Sequence, residues 1–470
     1  MYAFAAGAQR AIGFLLLPLY TRALDPAEYG DLSLLLSMAA AVAILLTFAL
    51  DLAIFRTYFE FESDPVLLRR YIDSIWRFLV AAPLIGALLL SVCAWPFLGE
   101  SRVTPIDVTL ALVGMALLVS ATTLPLSVLR AQERLRAYLK VTAVTMVTTP
   151  ALTVLLVVVL DWGITGWLLA LVLSAGLSLA ASMRVLPWHW TGGFDREMVR
   201  RSVRFSVPLL PHALSHWALQ LADRSLLAVL IGSSALGIYS LAANFAVPFM
   251  IAVSSLNQGF LPIYARAARN PQAQSTVERT VVLQVGLVVV GCLAGALLGP
   301  AFLELVAPES YSGAASLVPW IILGFGFLGL YCVPMNGATV MAGRSGFAWL
   351  TTAAGAATNV AFILVFVPDH GIEAAAIASA VGYLVLLAAA FVYAHARPNP
   401  LHYRWKQIVP TIAAGVAIYG LGVVTTPSAP GATLGVRTLW VLVMVCVLVA
   451  LRVVPVRLPG DRHVSPPSVR

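Results

Sequence analysis

Long apolar runs separated by short polar connections dominate the chain, and none alternates with the period of two expected of barrel strands. Crossing the hydrocarbon core takes about 20 apolar residues in a helix. Stretches of that size occur at residues 2–20, 32–55, 78–98, 108–129, 141–160, 164–185, 205–231, 236–264, 281–302, 317–342, 347–367, 372–394, 408–424 and 439–454. Each is expected to be a helix, because hydrocarbon offers no partner to an unpaired backbone group. The pattern therefore predicts an all-α polytopic membrane protein of about 14 transmembrane helices. Tyr20-Thr21-Arg22 follows the first run directly, with no small-residue cleavage site, so that run reads as a retained span and not a signal peptide.

Charge turns the pattern into a topology. Of the 29 Lys and Arg residues in this 470-residue chain, 24 fall on the even-numbered connections and the C-terminal tail. The odd-numbered connections hold Arg22, Arg102 and Arg437, and Arg10 and Arg224 lie inside spans. Short loops with such a bias are cytoplasmic, which places both termini in the cytoplasm. The net charge of +8 is thus topogenic, spread over separate loops, and does not mark a nucleic-acid surface. Only Lys140 and Lys406 are lysine, an arginine bias that fits a GC-rich bacterial genome.

Two halves resemble each other at a nearly fixed offset. Asp25-Pro26-Ala27-Glu28-Tyr29-Gly30 and Gly232-Ser233-Ser234-Ala235-Leu236-Gly237 lie 207 positions apart, and Asp161-Trp162-Gly163-Ile164 recurs 208 positions on as Asp369-His370-Gly371-Ile372. Pro125 and Pro334, 209 apart, each precede a basic turn. Six spans per repeat keep both halves in one orientation, so a pseudo-twofold along the membrane normal should relate them around a central cavity. The predicted organisation is an N-terminal six-helix bundle (1–186), a linker (187–204), a C-terminal six-helix bundle (205–396), an extra helix pair (397–455) and a tail (456–470). The linker segment from Phe194 to Arg204 reads as a short amphipathic helix on the inner leaflet.

The run from Pro18 through Tyr20-Thr21-Arg22 and Asp25-Pro26 to Tyr29-Gly30, with Ser206-Val207-Pro208-Leu209-Leu210-Pro211, Ala222-Asp223-Arg224 and Gly237-Ile238-Tyr239-Ser240, resembles the polysaccharide flippases. These form the oligosaccharide-lipid branch of the multidrug/oligosaccharidyl-lipid/polysaccharide exporter superfamily. The resemblance covers roughly the first 400 residues. It implies a twelve-helix core that carries undecaprenyl-diphosphate-linked sugars from the inner to the outer leaflet by alternating access. It also implies work beside a polysaccharide polymerase and chain-length proteins, in O-antigen or exopolysaccharide assembly, and in keeping with it the expected location is a bacterial cytoplasmic (inner) membrane. The extra helix pair resembles the fourteen-helix lipid II flippases, which keeps a lipid II-type substrate open, and a cation-coupled multidrug exporter of the same superfamily is the other alternative.

Charges inside a span are costly and usually face a cavity or a partner. His212, His216, Gln220 and Arg224 stand four residues apart in the seventh span, with Asp223 beside the last, a spacing that predicts one slowly drifting face. That face lines either a cavity or a polar helix–helix seam. Arg10 in the first span offers a fork that suits a diphosphate, or else is neutralised by Asp51 or Asp223. Asp51 and Asp223 are the candidate cation-coupling carboxylates, with a local pair to Arg56 as the alternative role of Asp51. Asn244, Asn257 and Gln258 in the eighth span, and Asn336 and Asn359 elsewhere, are candidate partners for sugar hydroxyls or for neighbouring helices.

Cys93, Cys292, Cys332 and Cys446 are isolated, so no disulfide framework or metal site is expected. No Gly-rich phosphate loop, nucleophile elbow or zinc-type spacing is present, which points away from an enzyme, a bound cofactor and direct use of a nucleotide.

Overall fold

The computed structural model describes residues 13–14, 16–97, 102–186, 193–268, 270, 274–344, 346–396, 401–425, 430–451 and 453; for 51, 52, 55 and 430–433 it describes the backbone alone. Among these residues there are helices and turns and no strand. In chain order the helices are α1 (Leu17–Ala23), α2 (Pro26–Thr47), α3 (Asp51–Phe61), α4 (Pro65–Ala94), α5 (Pro105–Ala131), α6 (Leu135–Thr153) and α7 (Gly163–Val185). They continue as α8 (Arg196–Ser206), α9 (Leu210–Ala267), α10 (Gln274–Val306), α11 (Ala314–Asn336), α12 (Trp349–His395), α13 (Trp405–Val424) and α14 (Pro430–Ala450).

Among the described residues, ten helical stretches are long and apolar enough to cross a membrane. Two of them are pairs folded at a glycine. Gly232 (φ 84°, ψ 169°) divides α9 into arms 210–231 and 233–267, and Gly371 (φ 65°, ψ −151°) divides α12 into arms 349–370 and 372–395. An L side chain is strained at such φ values, so glycine is what lets a helix reverse there without a loop. Counting each pair as two crossings gives twelve. The first and last expected spans are represented by α1 and by the shorter apolar helix Leu434–Ala450.

Several boundaries differ from those read in the sequence. The second span does not run from 32 to 55: α2 begins at Pro26 and ends at Thr47, where Phe48 and Ala49 both adopt positive φ (52° and 50°) and turn the chain into the separate helix α3. The motif around Asp25-Pro26, read as an outer loop, is a helix start. Asp25 Oδ1 accepts from Glu28 N at 2.8 Å and Glu28 Oε2 accepts from Asp25 N at 3.1 Å, a reciprocal capping box worth about 1 kcal/mol. The third span starts earlier than 78, because Asp64 caps α4 through Val66 N and Leu67 N.

The linker helix α8 defines one end of the molecule. Its Val199, Ser202 and Ser206 are buried, and it is tied to the start of α4 by Asp195 N donating to Ser74 Oγ at 2.9 Å and by the Arg70–Asp195 ion pair at 3.1 Å. Arg201 pairs with Glu60 of α3. We call this the linker end; Pro26 and Gly232 lie at the opposite, distal end.

Three buried clusters form the core. One joins both halves and includes Leu24, Tyr29 and Leu32 of the first half with Leu236, Tyr239 and Tyr311 of the second. A second, with Leu50, Tyr71, Trp76 and Val199, belongs to the first half at the linker end. The third, with Tyr264, Val281, Ile418 and Met444, holds α13 and α14 against α10. The first cluster thus joins the halves toward the distal end, and the second belongs to the first half alone at the linker end. Within the first half, hydroxyls zip α6 to α7, with Thr145 to Ser178 at 2.6 Å and Thr149 to Ser174 at 2.6 Å. Bonds of that kind between membrane helices contribute about 0.6 kcal/mol each.

Candidate functional site

Where the two halves meet, α2 lies directly on the second arm of α9. A Cβ on Gly30 would overlap the carbonyl oxygen of Ser233, and a Cβ on Gly237 would overlap that of Pro26. The contact is reciprocal: Pro26 and Ser233 are 207 positions apart, as are Gly30 and Gly237. Only glycine permits backbones to approach so closely. Around this contact Ser233 Oγ donates to Asp31 Oδ1 and Tyr311 OH donates to Leu24 O at 3.0 Å. Together they seal the distal end, while Trp217 Nε1, donating to Ser37 O at 3.0 Å, ties the halves further along α9.

Beneath the seal lies a cavity of about 280 Å³, lined among others by Gly13, Phe14 and Leu17 of the first span, Tyr20, Tyr29, Ser33, Trp167, Arg224 and Asn244. A water takes about 30 Å³, so the space exceeds a hydration hole; it sits at the lower edge of the roughly 300–1,000 Å³ of small-molecule pockets. Arg224 stands eight residues before Gly232, about 12 Å along the helix axis at 1.5 Å per residue. Its Nη2 donates to Asn244 Oδ1 at 3.3 Å, and Asn244 Nδ2 donates to Tyr29 OH at 2.8 Å. Arg224 Nε and Ser33 Oγ are shut from solvent without a hydrogen-bond partner among the described residues. No ion pair involves Arg224 among those residues.

Helical geometry separates Asp223 from its neighbour. With Leu219 and Leu227 it forms the buried face of the first arm of α9. Its Oδ2 accepts from Tyr239 OH and its Oδ1 accepts from Arg224 N at 2.8 Å. Tyr239 OH in turn bonds Ser379 Oγ of α12 at 3.0 Å. One turn further along α12, Gly382 lets Asn359 pack close; Asn359 is 1% exposed and neither amide atom has a partner among the described residues. The carboxylate therefore faces the second half's interior and the guanidinium faces the cavity.

The other sequence candidates divide likewise. Gln220 Nε2 donates to His216 Nε2 at 3.0 Å, and His212 and His216 are exposed, continuing the stripe of Arg224 toward the linker end. Asn257 Oδ1 accepts from Asn336 Nδ2 at 2.7 Å and from Gln284 Nε2 at 3.5 Å, a network inside the second half, while Gln258 is exposed. Arg10, and the side chain of Asp51, lie outside the described residues. Sequence reasoning did not single out Tyr29, Ser33, Trp167 or Tyr239. Tyr29 and Tyr239 lay within the quoted motifs, which was the available signal; Ser33 and Trp167 gave none. Separately, an apolar groove of about 450 Å³ runs between α10, α11 and α13, walled by residues such as Val289, Phe327, Leu330 and Val416.

A many-spanning helical protein whose two halves clasp a largely apolar cavity holding one guanidinium has the build of a membrane flippase or exporter. The sequence profile of the polysaccharide biosynthesis protein family matches residues 1–267, more than half of the chain, and the chain belongs to that family. Among solved structures it is similar to the lipid II flippase MurJ in its inward closed conformation, at 11% identity and TM-score 0.73 over 96% of this chain and 98% of that one. It is also similar to an inward-facing multidrug resistance MATE family transporter of the MOP superfamily, at 13% identity and TM-score 0.65, over 84% of this chain and 94% of that one. A Vibrio cholerae MATE transporter, VcmN in its bent form, matches at 16% identity and TM-score 0.51, over 84% and 98% of the two chains. At such identities these likenesses establish the fold. No curated protein sequence matches the chain.

Proposed function

We propose that the protein flips a polyprenyl-diphosphate-linked oligosaccharide across the bacterial cytoplasmic membrane for cell-surface polysaccharide assembly, with the linker end cytoplasmic. One observation carries the reading: a cavity between the halves presents Arg224 with no ion pair to a carboxylate and with its Nε unpartnered among the described residues. A buried guanidinium is expensive unless a partner completes it, and a diphosphate supplies that partner with bidentate, charge-assisted bonds. The same cation makes the cavity a poor host for cationic drugs. Fit to the problem is physical: the headgroup is rejected by hydrocarbon, while the prenyl tail prefers it and has an apolar groove at α13 to lie along.

Two features bear on energy and substrate. Asp223, 5% exposed and without an ion-pair partner among the described residues, is the proposed cation-coupling carboxylate. An inside-negative potential also favours outward movement of an anionic head, by about 2.3 kcal/mol per charge per 100 mV. A lipid II-type substrate is the second reading, favoured by the likeness to that flippase over 96% of the chain, the two final helices included.

Reconstituted protein tests the proposal directly. Wild type should move a fluorescent undecaprenyl-diphosphate-linked sugar between leaflets, and Arg224→Gln should slow this at least tenfold, the cost of about 1.5–3 kcal/mol for a hydrogen bond to a charged group. Arg224→Lys should recover part, keeping the charge and losing the fork. Normal flipping by Arg224→Gln would remove the cationic site from the mechanism.

A further inference from the structure

The Arg224 cavity and the distal seal are joined through a single side chain. Asn244, on the second arm of α9, accepts from Arg224 Nη2 with Oδ1 at 3.3 Å and donates from Nδ2 to Tyr29 OH at 2.8 Å. A carboxamide is planar, so its two ends cannot reorient separately. Tyr29 in turn sits in the first turn of α2, one residue before the Gly30 backbone contact. Its ring meets Tyr311 edge-on at 6.2 Å, and Tyr311 OH holds Leu24 O.

We propose that Asn244 couples occupancy of the anion site to the distal seal: a phosphate taken up by Arg224 displaces the Asn244 carboxamide and thereby loosens Tyr29. This rests on the reading of Arg224 as the headgroup ligand and names what that site controls. Nε and Nη2 share one edge of the guanidinium, the edge that grips a phosphate with two parallel bonds. Nε is unpartnered among the described residues and shut from solvent, whereas Nη2 is engaged by Asn244 at 3.3 Å, longer than the usual 2.9–3.0 Å. A bidentate phosphate needs both nitrogens, so it competes with Asn244 Oδ1 and forms the stronger bonds. Once Oδ1 is released, the amide loses the hydrogen bond that fixes the orientation serving Tyr29. The seal then loses a support at the residue next to its closest contact. An empty transporter stays shut at the distal end, and a loaded one is biased to open there, which is the order that export requires. Asn244 is a positioning residue in this scheme: it acts through Tyr29, and its effect is on the conformational equilibrium.

The test uses the full chain in lipid nanodiscs with undecaprenyl diphosphate as the probe. Spin labels on Ile106→Cys and Ser310→Cys, both exposed and one on each half at the distal end, read the separation of the halves. In the wild-type background the probe should increase the widely separated population several-fold, within the roughly 5- to 150-fold span of coupled sites. In Asn244→Ala the separated population should already be raised without probe, the probe should still bind by native mass spectrometry, and its effect on the distance should fall below about twofold. Tyr29→Phe should repeat that loss of response, and Arg224→Gln should lose binding and response together. A probe-induced widening of wild-type size in both Asn244→Ala and Tyr29→Phe overturns the relay while leaving the headgroup site standing. Loss of probe binding in Asn244→Ala to the extent seen in Arg224→Gln also overturns it, making Asn244 a ligand instead of a coupler. If the wild-type background binds no probe, the headgroup reading fails and the relay falls with it.

Discussion

At the distal end the two halves touch backbone to backbone, with Gly30 against Ser233 and Gly237 against Pro26, and they share one apolar core. At the linker end the first half keeps a core of its own, and His212 and His216 of the same α9 stand exposed. The difference lies in what each contact can tolerate. A glycine-on-carbonyl contact exists only when the helices are fully home, since an intermediate separation forfeits the packing without admitting a partner. Polar, exposed side chains lose little when the gap between them widens. One end is built for a two-position latch and the other for an adjustable opening, the asymmetry that the proposed alternating access would use.

The comparison breaks most decisively at the latch. Gly237→Val, or Gly30→Val, places a branched side chain on a carbonyl oxygen in the sealed state alone. Overpacking of that kind costs about 1–3 kcal/mol, enough to shift a two-state equilibrium roughly 5- to 150-fold. Distance measurement across the distal end should show the separated form dominating, with flipping lost. Unchanged distances in both variants would mean that the glycine contact does not set the conformation.

A second separation runs along one helix, between neighbouring residues. Arg224 looks into the cavity and Asp223 into the second half, so the two should fail differently. Asp223→Asn should abolish any stimulation of flipping by a cation gradient and leave headgroup binding within about threefold of wild type, because a 100° step around the helix separates the groups. Arg224→Gln should do the reverse. Combining Asp223→Ala with Arg224→Ala should restore nothing, since no ion pair joins them among the described residues; recovery of transport in that double variant would show a structural pair and withdraw Arg224 from the binding site.

Much of this contrast could be read from the chain before its fold, and the limits have physical causes. Hydrophobic length predicted the helical class, and the i, i+4 spacing predicted the polar stripe of the seventh span. The 207-residue offset between Asp25–Gly30 and Gly232–Gly237 was legible in the sequence; that these segments clasp each other was not, because an offset carries no distance. Phe48 and Ala49 are apolar and continue the hydrophobic run, so their positive φ, which ends α2, leaves no mark in composition. Asp25 and Glu28 were visible, yet their polarity was read as a loop when it serves a helix cap. Asp223 and Arg224 were assigned one face, and only the partners Tyr239 and Asn244, at 16 and 20 residues' separation, show which way each turns.

Orientation of the two ends is open to a direct test of intermediate size. Cysteine at Ser310, exposed at the distal end, should react in intact cells with an impermeant thiol reagent. Cysteine at Glu197, exposed on α8, should react only after the membrane is opened. Ser202 is unsuitable for this purpose, because it is buried against Tyr71 whichever side it faces. Labelling of Glu197→Cys from outside would invert the assignment and make the latched end cytoplasmic.

The smallest expected effect probes where the latch gives way. Trp217 lies on the first arm of α9, fifteen residues before Gly232, and its Nε1 donates across the interface to Ser37 O at 3.0 Å. It is therefore the hydrogen bond between the halves that lies farthest along α9 from the seal among those described here. Trp217→Phe keeps an aromatic ring and removes that bond, at a cost of about 0.5–1.5 kcal/mol. Nothing in the glycine contact changes, so the sealed state should remain the major one, its population relative to the separated state falling roughly 2- to 10-fold. In the same spin-label experiment this should appear as a modest rise in the long-distance component, with headgroup affinity preserved. An effect as large as that of Gly237→Val would place the decisive contact at mid-helix and not at the distal end. No effect at all would confine the latch to the first two turns of α2, where Tyr29, Gly30 and Asp31 all contact the second arm of α9.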